Sequence, residues 1–182
     1  EVLIFEDIAT PALSANDVLV KIQAGGVNFI DTYQRSGLYK IPLPSTLGLE
    51  GSGIVGSVGE EVTGFKKGDR VAYTNIPGSY AEFAAVPEDK LLALPETISF
   101  NEGAAILLQG CTSHSLCHFA YSVKIDDVCL VHAAAGGVGL LLTQTIKMLG
   151  GTDIATVSAP AKEALAKAAG ADHTILYTET DF

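Results

Sequence analysis

Short apolar runs separated by turn residues fill the first half of the chain, and the period of the pattern changes in the second half. Val18-Leu19-Val20-Lys21-Ile22-Gln23-Ala24 is β-rich, Gly51 to Gly59 is a strand studded with glycine, and Asp69-Arg70-Val71-Ala72-Tyr73 follows a Lys67-Gly68 turn. Tyr80 to Val86 is a further β-rich run, and Glu1-Val2-Leu3-Ile4-Phe5 has a strand pattern as well. Runs of this kind predict a compact, partly open β-barrel whose glycines mark bulges and tight corners. From Ser99 onward alanine and leucine recur at helical spacing. Phe100 to Leu108 predicts one helix, opened by a capping box between Ser99 and Glu102, and about Thr112 to Ser122 predicts a second.

From Asp126 the order is strand, glycine turn, helix, strand, helix, strand. Val128 to Val131 feeds Ala134-Ala135-Gly136-Gly137-Val138-Gly139, an amphipathic run follows, and Ile154 to Ser158 is the second strand. Lys162 to Ala169 predicts a helix ended by Gly170, and Thr174-Ile175-Leu176-Tyr177 a third strand. This is one mononucleotide-binding half of a doubly wound sheet, and right-handed crossovers place its strands parallel with both helices on one face. The fold class is therefore α/β plus β. The expected division is residues 1–98 for the β-domain, 99–125 for connecting helices and 126–182 for half of a nucleotide-binding domain. With no initiator Met, and with its last residues one element past an αβ unit, the chain is expected to be truncated at both ends.

Composition narrows the function. A hydrophobic content of 48% over 182 residues is ample for a packed core. The formal net charge of −10 disfavours a nucleic-acid partner, because binding a phosphate backbone relies on clusters of Lys and Arg. Three cysteines without regular spacing make no disulfide framework and point to a reducing, cytoplasmic setting. No apolar stretch is long enough to span a bilayer, so no membrane partner is expected.

The glycine turn carries the clearest chemistry. It departs from G-x-G-x-x-G by having Ala134 in the first slot, with Gly136 and Gly139 in the second and third. Gly136 lets the backbone approach a phosphate, Gly137 and Val138 supply N–H donors, and Gly139 allows close helix–strand packing; the alternative is a glycine turn with no ligand. NAD sites place an acid at the end of the second strand, but that end here reads Thr156-Val157-Ser158, and Asp153 stands at the opposite end. Ser158 and Lys162 are placed to meet a 2′-phosphate, which favours NADPH over NADH. The plainer reading of Lys162 is a solvated charge in the first turn of a helix.

In the first domain, Val27 to Tyr39 is dense in polar and aromatic groups after a Gly-Gly corner. Asn28 and Tyr33 are candidates to line a cleft shared with a nicotinamide. The competing structural reading makes Asn28 a helix cap, pairs Asp31 with Arg35, and has Tyr33 as half-buried packing. Cys111, His114 and His118 share a helical face but lack an evident fourth ligand for structural zinc, so no metal site is expected. Cys129 and His132 read as core or turn residues.

Taken together, Val27 to Tyr39, Leu47-Gly48-Leu49-Glu50-Gly51-Ser52-Gly53, Gly68-Asp69-Arg70-Val71, Gln109-Gly110-Cys111-Thr112, His132 to Gly139 and Gly170-Ala171-Asp172-His173 give a specific resemblance. The chain resembles the medium-chain dehydrogenase/reductases, and among them the zinc-independent quinone oxidoreductases that include zeta-crystallin. The resemblance implies a GroES-like catalytic domain, a Rossmann domain and NADPH in the cleft between them. It implies that Asn28, Tyr33 and Thr112 contact the nicotinamide end, that Gly136, Gly137 and Val138 hold the pyrophosphate, and that Ser158, Lys162 and Tyr177 meet the adenosine 2′-phosphate. Gln109 falls near the cleft wall. Zinc-using relatives have Cys in place of Asn28 and His in place of Leu49, and carry a four-cysteine lobe that is missing here, so the implied hydride transfer to a quinone is zinc-independent. Tyr33 is the candidate hydrogen-bond donor to the quinone oxygen. Reduction of an alkenal or enone double bond is the alternative activity, and a non-catalytic nucleotide-binding or crystallin-like role the alternative class. Relatives form homodimers through an interface expected to lie mainly in the half that is missing.

Overall fold

A computed structural model describes residues 3–181. The chain divides into two compact units, Glu1–Leu108 and Gln109–Phe182. In the first, five antiparallel neighbours form one sheet in the order β4-β1-β2-β3-β5: β1 (Asp17–Gly25), β2 (Glu50–Val58), β3 (Arg70–Thr74), β4 (Phe83–Pro87) and β5 (Leu91–Ala93). Alternation decides which side faces in. Val18 and Val20 of β1, Val55 of β2, Val71 and Tyr73 of β3 and Val86 of β4 form one buried cluster. Each fully buried valine contributes about 1.5–3 kcal/mol. Register shifts in the β1–β2 pair, between Leu19 and Val20 and between Ile22 and Ala24, bend the sheet into a half-barrel.

Two expectations are corrected, and one strand is added. Leu3, Ile4 and Phe5 belong to no strand and are exposed, since their apolar side chains meet no facing layer, while Glu1 and Val2 lie outside the described residues. The two helices expected after Ser99 are one, α2 (Phe100–Ser115), which continues through a π-turn over Leu116–Ala120. Gly110 is accommodated inside the helix, where a single glycine costs only about 1 kcal/mol and does not break an otherwise helical run. The three-residue β5 was not expected; it pairs with β3 from Val71 to Tyr73. The start of α2 is fixed to the sheet of its own unit: Ser52 Oγ donates to the Phe100 carbonyl, and the Arg70 guanidinium lies 4.1 Å from the Phe100 ring centroid.

The second unit contains β6 (Val128–Val131), α3 (Gly137–Met148), β7 (Thr152–Val157), α4 (Pro160–Ala169) and β8 (His173–Leu176). The three strands are parallel in the order β6-β7-β8, as the crossover rule requires. α3 packs on β6, β7 and α4, and α4 packs on β7 and β8. Val131, Ala134, Ile146, Ala155, Val157 and Ala166 make the core beneath them. Gly170, with φ of 109°, closes α4 in the left-handed conformation that glycine adopts without steric cost. A curled antiparallel sheet and a three-stranded parallel α/β sheet are thus the two architectures of the chain, the expected α/β plus β class.

Candidate functional site

In the second unit the candidate residues gather at the C-terminal ends of the parallel strands, where doubly wound sheets bind their ligands. β6 ends at Val131, and the turn that follows is held to β7 by the Ala134 N–H donating to the Thr156 carbonyl at 3.1 Å. His132 lies beside it, with Nδ1 3.2 Å from the Thr156 hydroxyl, so it is an exposed turn residue, while Cys129 packs against the core. Gly136 is the N-cap of α3, and no side chain caps it. The N–H groups of Gly137, Val138 and Gly139 therefore face out of the first turn, the arrangement that accepts a phosphate.

Two glycines explain the shape of the turn. A Cβ on Gly139 would stand 2.5 Å from the Ala133 carbonyl oxygen and 2.6 Å from Ala134 Cα, so the close packing of helix on turn depends on its absence. A Cβ on Gly137 would stand 3.0 Å from Gln109 Cγ, which puts the Gln109 side chain against the turn itself.

At the end of β7 the Lys162 ammonium donates to Ser158 Oγ at 3.0 Å, and Thr178 Oγ1 donates to the Ser158 carbonyl at 3.4 Å. Tyr177 continues the ladder past β8, its N–H donating to the Val157 carbonyl at 3.2 Å, and its side chain is exposed. Ser158, Lys162 and Tyr177 are thus gathered at one edge, with a cation and hydroxyls there and no acid in the Thr156-Val157-Ser158 strand end. Asp153 is at the start of β7 and fully buried. The donor set fits a phosphorylated dinucleotide.

In the first unit, α1 (Phe29–Arg35) follows the Gly25-Gly26 corner, with Asn28 as its N-cap. A capping box closes between Asn28 and Asp31, in which Asp31 Oδ2 accepts the Asn28 N–H at 2.8 Å. The capping part of the structural reading of Asn28 therefore holds, but the Asp31–Arg35 pair does not. Asp31 is buried, and its Oδ2 also takes the Tyr80 hydroxyl at 2.6 Å; the ion pairs among the described residues are Lys90–Asp89, Lys147–Asp172 and Lys167–Glu163. Burial, followed by that bond and the nearby Asp31 charge, raises the Tyr80 phenol far above its ordinary value. Tyr33 is half-buried, its ring centroid 5.3 Å from that of Tyr39 and 6.2 Å from that of Phe29.

The Asn28 side chain has a partner that periodicity did not reveal. Its Nδ2 donates to Glu50 Oε2 at 3.0 Å, and Glu50 Oε1 accepts the Leu108 backbone N–H at 2.8 Å. The available signal was an acid inside a glycine-rich β-run, Leu47-Gly48-Leu49-Glu50-Gly51-Ser52-Gly53. Thr112 lies on α2 and is half-buried. His114 and His118 stack with centroids 4.3 Å apart, and among the described residues no group of three or more His, Cys, Asp or Glu side chains is arranged to hold a metal. No helix among those residues is long and apolar enough to cross a membrane.

Comparison with known proteins gives the same picture. Residues 14–96 match the alcohol dehydrogenase GroES-like domain family. The chain is 48% identical over 180 residues to a quinone oxidoreductase of Pseudomonas aeruginosa, covering 98% of this chain and 55% of that protein. Among solved structures it is similar to a quinone oxidoreductase of Pseudomonas syringae, with a TM-score of 0.94 and 50% identity, covering 97% of this chain and 55% of the other. It is also similar to an Escherichia coli quinone oxidoreductase complexed with NADPH, with a TM-score of 0.92 and 44% identity over 98% of this chain and 55% of the other. The chain spans about half the length of the relatives it matches. By sequence and by fold, these residues belong to the quinone oxidoreductase family of the medium-chain dehydrogenase/reductase superfamily.

Proposed function

We propose that the whole protein is an NADPH-dependent quinone oxidoreductase that works without zinc. The observation that carries this reading is the pairing of the Lys162 ammonium with Ser158 at the end of β7, beside an uncapped glycine turn at the end of β6. Gly136, Gly137 and Val138 would hold the pyrophosphate through backbone N–H groups, and Ser158, Lys162 and Tyr177 the 2′-phosphate. Asn28, Tyr33 and Thr112 would meet the nicotinamide end. Residues 1–98 then serve as the catalytic domain, 99–125 as the connection and 126–182 as half of the nucleotide-binding domain.

When bound, the dinucleotide supplies a hydride, and the protein contributes alignment and a hydrogen bond. With one solvent proton, a quinone leaves as the hydroquinone. The Tyr33 hydroxyl donates to the quinone oxygen on which negative charge develops, directly or through water. Asn28 and Leu49 stand where zinc-using relatives have ligands, and neither suits zinc, since Asn28 offers only a neutral amide oxygen in place of a thiolate and leucine offers no donor.

The test is a fluorescence titration of the full-length protein with NADPH and NADH. NADPH should bind more tightly, and Lys162→Ala should reduce that preference by about tenfold or more, the value of one charge-assisted hydrogen bond. Equal affinities in the unaltered protein would remove the 2′-phosphate assignment. Tyr33→Phe should lower quinone turnover with NADPH binding retained, and unchanged turnover would end the role given to its hydroxyl.

A further inference from the structure

Glu50 opens β2 with no exposed surface, and none of the ion pairs among the described residues includes it. A carboxyl group is costly to bury unless both oxygens are bonded. Here they are, to two separate segments: Oε1 takes the backbone N–H of Leu108 on α2, and Oε2 takes Nδ2 of Asn28 ahead of α1. Gly26 makes the room. Its N–H donates to the Glu50 carbonyl at 2.8 Å, and a Cβ there would stand 2.5 Å from Oε2.

The chemistry of the pair fixes an orientation. A carboxylate only accepts, so the Asn28 amide must turn Nδ2 toward Glu50 and Oδ1 away from it. A glutamine of the same shape has one accepting oxygen and one donating nitrogen. It can serve the Leu108 N–H and Asn28 together only if the Asn28 amide turns over and presents Oδ1 to it. We infer that Glu50 is a positioning residue for the reaction: it holds the Asn28 amide in one orientation and ties it to α2, so that the nicotinamide end meets a preset group. This rests on the reading of Asn28 as a nicotinamide-end residue. Thr112, given to the same end, is one helical turn beyond Leu108 on α2. A side chain that only filled space would need neither oxygen.

The test is a double-variant cycle in the full-length protein, using Glu50→Gln, Asn28→Ala and both together, with kcat and KM for NADPH measured separately. If Glu50 acts through Asn28, Glu50→Gln lowers kcat by about tenfold or more with a much smaller change in KM, and adds nothing in the Asn28→Ala background. Losses that multiply in the double variant, or a folded Glu50→Gln protein with unchanged kcat, overturn the inference. Should Glu50→Gln fail to fold, the unaltered protein labelled with 15N decides. Its Asn28 side-chain amide protons are expected as two separate signals that exchange slowly with solvent, and rapid exchange of both would refute the positioning. That readout needs no turnover, so a protein that fails to reduce quinones but shows the locked amide would defeat the functional reading alone.

Discussion

Glu50 and Asp153 are both fully buried acids, yet only one has both oxygens bonded. Asp153 Oδ2 accepts the Thr143 hydroxyl at 2.7 Å, while Oδ1 is buried without a partner. Burial pushes the Asp153 carboxyl above its ordinary value, the Thr143 bond opposes it, the Asp172 charge adds to it, and Lys147 draws it back. The folded state thus holds this proton more tightly than the unfolded chain does. The stability it contributes is present below the ordinary aspartate range and is lost as pH rises through the raised value. Asp153→Asn removes the buried charge while keeping the shape, so it should raise Tm near neutral pH, with a gain that shrinks toward about pH 4. Melting curves across that range check it; a gain of the same size at every pH would count against burial as the cause. Its place ahead of Ile154 in the sequence puts Asp153 at the wrong end of β7 for a ribose, and its position agrees. Its cost is invisible in the sequence, since it arises from burial and from a lack of donors around Oδ1, offset in part by the Thr143 hydroxyl ten residues away.

At the scale of elements, the start of α2 was legible because it is set by local chemistry. Glu102 Oε2 accepts both the Ser99 N–H at 2.8 Å and the Ser99 hydroxyl at 2.7 Å, and the Glu102 N–H returns to Ser99 Oγ at 3.2 Å. These bonds, the hydroxyl first, hold the Glu102 carboxyl below its ordinary value. Stability from it is present above the ordinary glutamate range and is lost as pH falls through the lowered value. Ser99→Ala should cost about 1 kcal/mol near neutral pH, as other cap removals do, and less in acid. Urea unfolding at two pH values measures both; an equal loss in acid would show that Glu102 ionisation plays no part. What misled the pattern was of longer range. Phe100 to Leu108 and Thr112 to Ser122 read as two helices, but α2 runs through the gap between them. Leu3 to Phe5 read as a strand by composition, yet a strand needs an edge to pair with. β5 has three residues, too few for alternation to show, and only the β3 edge defines it.

For the whole molecule, the two architectures were readable because their periods differ, and the glycine turn was readable because its strand-before, helix-after context is local. The Asn28–Glu50 link was not, since its partners are 22 residues apart and joined through a glycine corner whose purpose appears only in three dimensions. The parallel sheet raises a further point. β6 is an edge strand, with Val128 66% and Leu130 49% exposed, and Met148 at the end of α3 is exposed as well. Unpaired N–H and C=O groups beside bare apolar side chains form a template for pairing with another chain. Expressed as these 182 residues alone, the protein should therefore self-associate, and Val128→Lys, which places a charge on that edge without touching the cores of either unit, should reduce it. Sedimentation velocity on the two proteins at matched concentration measures the difference. A 182-residue chain that stays monomeric, or an association indifferent to the lysine, would mean that the β6 edge is shielded in solution by something other than strand pairing.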